Sequence, residues 1–234
     1  MKSPVVLCIG GWDPSGRAGL LADVWAIGQL GGRPAGVVTA ITAQGAVFKS
    51  TPVSPDQIRR QVRAALEVHP ACSVKIGMVP DRRSLRRLAG AIGGSTRWVV
   101  VDPVVNSSTG DRLSTLTAAD YLGLRSYFSP KTRVVLTPNA AELRWLAVTP
   151  TQLLERGYAA VVVKGGESGI DLIFSRGTRP ASLLGSRLRR STSHHRGTGC
   201  RFASGLAVGL ARGEDLVPAT RRAKRLVRKF LSSL

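Results

Sequence analysis

The sequence is poor in cysteine, aromatic residues and acids, and each shortage narrows what the chain can be. Its three cysteines, Cys8, Cys72 and Cys200, form neither a CxxC pair nor an even set, so no disulfide framework is readable and a reducing cytoplasm fits best. Aromatic residues make up only 5% and do not interleave with the basic clusters. No RNA-binding aromatic signature, zinc-finger spacing or basic zipper is present. No apolar run is long enough to span a bilayer, and Met1–Ile9 lacks the h-region and cleavage site of a secretory signal. Two common nucleotide-binding devices are also missing: neither G-x-G-x-x-G nor G-x-x-x-x-G-K-[ST] occurs. Any phosphate chemistry has to rest on another device.

Positive charge is abundant. Lysine and arginine number 34 against 14 acids, a net charge of +20 over 234 residues. Much of the excess falls late, in Arg187, Arg189, Arg190, Arg196, Arg201, Arg221, Arg222, Lys224, Arg225, Arg228 and Lys229. In the last helix Leu226, Val227, Phe230 and Leu231 can face inward while the basic residues take the solvated side. Opportunistic polyanion binding at low salt follows from such a face, and specific nucleic-acid recognition does not.

The length favours one core and one domain, residues 1–234. Apolar, β-branched runs recur at Val5–Ile9, Gly36–Thr42, Ser73–Gly77, Trp98–Asp102, Arg133–Thr137 and Ala159–Lys164. Most lack alternation, so they read as strands buried on both faces. Helical segments lie between them: Gly19–Leu30, Pro55–Val68, Arg82–Ile92, Thr117–Tyr127 and Ala140–Leu146. Gly169–Phe174 and Ala181–Arg189 add a hairpin. This order predicts an α/β fold of three layers, a mainly parallel central sheet with helices on both faces.

Ligands of such sheets gather beyond the carboxyl ends of the strands, and polar residues stand at six of those ends. They are Gly11-Trp12-Asp13, Thr42-Ala43-Gln44, Lys75-Ile76-Gly77-Met78, Asp102-Pro103-Val104, Thr137-Pro138-Asn139 and Lys164-Gly165-Gly166. Arg196-Gly197-Thr198-Gly199-Cys200 is the most informative stretch. Helical spacing of Phe202, Ala203, Leu206, Ala207 and Leu210 puts it at a helix N-terminus. Glycines admit a ligand to the backbone, first-turn N–H groups attract anions, and a thiol in that field should ionise easily. The alternative is a turn followed by a buried cysteine. Asn139 and Glu142 form either a helix cap or a pair that holds hydrated Mg²⁺. Asp13 and Ser15 could cap the first helix. Lys164 could steer a nucleotide phosphate or simply precede a turn. His194 and His195 read as exposed.

In this order, Gly10–Gly19 with Asp23, Thr39–Gln44, Lys75–Met78, Asp102–Val104, Thr137–Asn139, Lys164–Gly166 and Gly197–Cys200 resemble the hydroxymethylpyrimidine/phosphomethylpyrimidine kinases. These belong to the ribokinase-like superfamily, and the likeness spans nearly the whole chain. It implies ATP- and Mg²⁺-dependent phosphorylation of 4-amino-5-hydroxymethyl-2-methylpyrimidine, its monophosphate, or both, in thiamine biosynthesis. It further implies that Gln44, Gly11, Asp23, Met78 and Val104 hold the pyrimidine. Lys164, Asn139 and Glu142 would serve the nucleotide, Asp102 and Glu142 the Mg²⁺ region, and Gly197, Thr198 and Gly199 the anion hole, with Cys200 as base. A homodimer is implied as well. Arg196 stands where the family often has His, Arg201 where Thr is common, and Ser108 where Lys is frequent. A pyridoxal-type kinase is one alternative, and a catalytically silent ligand-sensing or polyanion-binding homologue is another.

Overall fold

The structure is a computed structural model that describes residues 3–44, 48–70, 73–94, 96–107, 110–165, 168–184 and 196–233. Cys72, Ser108, Gly166, His194, His195, Arg187, Arg189 and Arg190 lie outside the described residues, as does the side chain of Gln44. The strands are β1 Val5–Trp12, β2 Arg33–Gln44, β3 Phe48–Pro52, β4 Ser73–Ile76, β5 Trp98–Val101, β6 Arg133–Leu136, β7 Ala160–Val163, β8 Ile170–Ser175 and β9 Ala181–Leu184. They form one sheet in the order β3-β2-β1-β4-β5-β6-β7-β8-β9. The six strands from β2 to β7 in that order run parallel, and the outer strands β3, β8 and β9 pair antiparallel, with β3 and β9 at the two edges.

Neighbouring residues along each strand feed opposite cores, because successive side chains point to opposite faces. Leu7, Ile9, Val74, Ile76, Val99, Val101, Val134, Leu136 and Val161 enter one core. Helices α2 Pro55–Val68, α3 Arg82–Ile92, α4 Ala118–Gly123, α5 Ala140–Leu146 and α6 Pro150–Glu155 cover it. Val6, Cys8, Val100, Val135 and Val162 enter the other, beneath α1 Gly19–Gln29, α7 Thr198–Ala211 and α8 Leu216–Ser232. This two-sided burial explains why the strands read as continuous apolar runs. It also delivers the three layers the sequence predicts.

Local chemistry sets the helix starts. Ser54 accepts the Gln57 N–H at 3.3 Å, and Pro55 follows in the first turn of α2. Asp81 does the same for α3 through Ser84 N–H at 2.7 Å. Helix α7 is buried from Arg201 to Leu210, and α8 lies so close that a Cβ on Gly209 would stand 2.6 Å from Ala219 Cβ. Three elements depart from the sequence reading. β3 and α6 are additions, and Thr117–Tyr127 divides into α4 and a 3-10 turn at Leu124–Tyr127. Among the described residues, no helix is long and apolar enough to cross a membrane.

Candidate active site

Strand order reverses at β1, whose neighbours are β2 and β4. A parallel sheet opens a crevice at such a point, outside the carboxyl ends of its strands. A cavity of about 400 Å³ occupies this place. Every predicted strand end contributes to its wall: Gly11 in β1 and Asp13 just after it, Thr42 in β2, Lys75 and Met78 around β4, Asp102 and Val104 after β5, Asn139 after β6 and Lys164 after β7. Glu142 and the whole stretch Arg196–Cys200 complete it.

Residues 197–200 form the turn and first residues of α7. Gly197 is left-handed, with φ of 77°, and a Cβ there would lie 2.0 Å from the Arg17 carbonyl oxygen. Only glycine fits that backbone in that space. Helix α7 begins at Thr198, so Cys200 sits in its first turn, where backbone N–H groups have no partner within the helix. Cys200 lines the cavity and is half-buried. Burial pushes its thiol above the ordinary cysteine range, Lys75 opposes the rise, Asp23 and Asp102 add to it, and a hydrogen bond from Gly19 N–H works against it. The expected easily ionised thiol is therefore corrected: desolvation outweighs the favourable charge.

Asp23 requires a second correction. It is 0% exposed, on the face of α1 turned to the core, and does not line the cavity. Its Oδ2 accepts from Lys75 Nζ at 2.9 Å and its Oδ1 from Ser204 Oγ at 2.8 Å. Lys75 is the member of this trio that reaches the cavity. Burial alone would lower its pKa, yet the charges of Asp23, Cys200 and Asp102 hold it above the ordinary lysine value. Lys75 was missed as a site residue, although a lysine inside a β-branched run signals a buried partner.

The wall built from the ends of β5, β6 and β7 is a second ion-pair group. Lys164 Nζ donates to Asp102 Oδ1 at 2.5 Å and lies 3.6 Å from Glu142 Oε2. Asn139 and Glu142 form the capping box of α5: Glu142 N–H donates to Asn139 Oδ1 at 2.8 Å, and Asn139 N–H to Glu142 Oε2 at 2.7 Å. The cap and the site are one structure. Burial raises the Glu142 carboxyl, with Lys164 opposing and Asp102 adding. Asp102 is nearly fully buried, and its Oδ2 has no hydrogen-bond partner among the described residues. That oxygen lies 3.4 Å from where a Cβ on Gly199 would stand. An orphaned carboxylate oxygen beside a phosphate-type loop suits hydrated Mg²⁺, which takes one or two carboxylates plus phosphate oxygens and water. No cluster of three or more His, Cys, Asp or Glu among the described residues could hold a metal unaided.

On the β1 side, Thr39 Oγ1 donates to the Met78 carbonyl at 2.7 Å and also approaches its sulfur, at 3.7 Å. Asp13 does not cap α1, whose N-cap is Ala18 without a side-chain bond. It accepts from Ser15 N–H and Oγ–H at 3.1 and 2.8 Å and pairs with Arg196 at 3.3 Å. From α8, Lys224 and Arg228 also line the cavity. Lys224 is not solvated as expected, because it donates to Asp171 at 2.8 Å and to the Gly169 carbonyl at 2.5 Å.

The family model for phosphomethylpyrimidine kinase matches residues 13–233. The chain belongs to that family. It is 32% identical to a hydroxymethylpyrimidine/phosphomethylpyrimidine kinase of Rhizobium meliloti, over 98% of this chain and 91% of the relative. Among solved structures, the pyridoxal kinase of Staphylococcus aureus in complex with pyridoxal superposes with a TM-score of 0.82 at 26% identity, over 97% of this chain and 87% of that one. A phosphomethylpyrimidine kinase of Clostridium difficile shares the fold with a TM-score of 0.79, at 24% identity over 98% of this chain and 100% of that one. The ribokinase-like fold of this family member is thus the one observed here.

Proposed function

We propose that this kinase transfers the γ-phosphoryl group of ATP to 4-amino-5-hydroxymethyl-2-methylpyrimidine, to its monophosphate, or to both. The observation that carries this reading is the convergence of the Gly197–Cys200 loop, the Lys164–Asp102 pair and the Gly11–Met78 wall on one cavity. Phosphoryl transfer spreads charge over the equatorial oxygens, so positioned donors matter more than base strength. First-turn N–H groups of α7 would meet that charge. The substrate oxygen bonds to the γ-phosphorus, the bond from phosphorus to the bridging oxygen breaks, and ADP leaves. Cys200, as thiolate, accepts the hydroxyl proton. Lys75 favours the thiolate and Lys164 steers the phosphates. Asp102 and Glu142 would hold Mg²⁺, which neutralises phosphate charge when bound.

Gln44, Gly11, Met78 and Val104 would face the pyrimidine, and a cytoplasmic homodimer belongs to the same reading. An ADP-release assay with the pyrimidine, its monophosphate and pyridoxal side by side tests the substrate, with an Mg²⁺-free control. Turnover on pyridoxal alone would replace the reading with the pyridoxal-type one. Lack of any turnover alongside nucleic-acid binding at physiological salt would favour the silent homologue.

A further inference from the structure

Arg196 and Arg201 flank the same loop and face different ways. Arg196 lines the cavity, whereas Arg201 does not. The Arg201 side chain is turned into the protein, leaving the residue 4% exposed. Its guanidinium carbon stands 3.8 Å from the centroid of Phe230 in α8 and 5.2 Å from that of Trp25 in α1. Those two rings meet edge to face at 5.5 Å. From this aromatic seat Nη1 donates to the Arg17 carbonyl at 2.8 Å and to the Gly197 carbonyl at 3.2 Å.

We propose that Arg201 is a positioning residue for the phosphoryl-transfer loop, clamping the Gly197 backbone to the Arg17 backbone from a seat built by Phe230 and Trp25. The inference rests on the kinase reading of that loop. Three observations point to positioning. Gly197 has its open side filled by the Arg17 carbonyl and Arg201 Nη1, each within 2.6 Å of where a Cβ would stand. The loop, the entry to α1 and the guanidinium are therefore mutually interlocked. The first turn of α7 carries no acid, and a cation there has the wrong sign for the helix dipole. Arg201 thus works against the helix that carries it, and the compensation is in the contacts across the loop. Finally, the guanidinium lies over the Phe230 ring while its Nη1 alone spans the Arg17 and Gly197 carbonyls, a placement that a lysine ammonium on its flexible stem does not reproduce.

The test compares Arg201→Ala, Arg201→Lys, Phe230→Ala and the Arg201→Ala/Phe230→Ala double variant with Leu226→Ala. Leu226 is a buried α8 residue away from the cavity wall. ADP release is measured well below each melting temperature and normalised to folded protein. Arg201→Ala is expected to lose about 10- to 100-fold in kcat, with KM for the pyrimidine held within about threefold. Arg201→Lys should recover little, and the double variant should fall no further than Arg201→Ala. Leu226→Ala should lower the melting temperature and keep kcat. Amide hydrogen exchange over Gly197–Phe202 gives a readout independent of turnover and should accelerate in Arg201→Ala but not in Leu226→Ala. If the wild type turned over no pyrimidine, the kinase reading would fail while exchange still decided the clamp. Unchanged loop exchange, or wild-type kcat in folded Arg201→Ala, overturns the proposal.

Discussion

At the scale of single residues, the site depends on charges held out of water. Cys200 keeps its proton in the folded chain to a higher pH than a free cysteine does, because burial, helped by the charges of Asp23 and Asp102, prevails over Lys75 and Gly19. The folded state then binds more protons than the unfolded one above the ordinary thiol pKa, so stability declines as pH rises through that window. Over the same range the thiolate fraction grows, and kcat/KM should rise with it. Cys200→Ser should flatten both profiles, and an unchanged alkaline limb would remove the thiol from proton transfer. Lys75→Met tests the pair beneath it. Asp23 would be left fully buried without its cation, a loss of about 3–5 kcal/mol. The Lys75→Met/Asp23→Asn double variant should recover a large part of it in urea unfolding. The pairing was not readable from sequence. Helical periodicity places Asp23 on a turn of α1, but only the packed fold shows that this turn faces Lys75 rather than the cavity.

Among the elements, α7 brings the proposed transfer loop to the cavity and α8 packs along it. The seam at Gly209 and Ala219 leaves no room for a larger side chain. Ala219→Leu should cost about 1–3 kcal/mol by overpacking. It should also raise KM for ATP, since Lys224, Val227, Arg228 and Leu231 of α8 line the cavity. Melting curves check the first effect, and ADP release across a range of ATP concentrations checks the second. Element bounds were legible where a cap and an amphipathic period coincide, as in α2, α3 and α5, whose observed ends match the expected ones. β3 was not, because it is a partly exposed edge strand ending in Pro52, without a buried β-branched run. α6 was hidden by its length of six residues. The Arg201 seat was also unreadable, since it joins aromatic residues 25 and 230 through folding alone.

For the whole molecule, net charge and fold make separate statements. A charge of +20 predicts retention on heparin at about 50 mM salt that falls steeply by about 200 mM, while pyrimidine turnover changes far less. Retention that persists at high salt would point to a specific polyanion site. The architecture itself was legible because two-sided burial leaves an unusual mark, an unbroken β-branched run with a polar residue waiting at its end. The ends of the six parallel strands converge on one rim. The opposite rim is built from turns such as the one carrying exposed Lys131 ahead of β6, separated from the cavity by roughly 13 Å of strand. That rim is a natural handle: a tether, dye or fused module attached there would anchor the enzyme to a surface with its mouth pointing away from it.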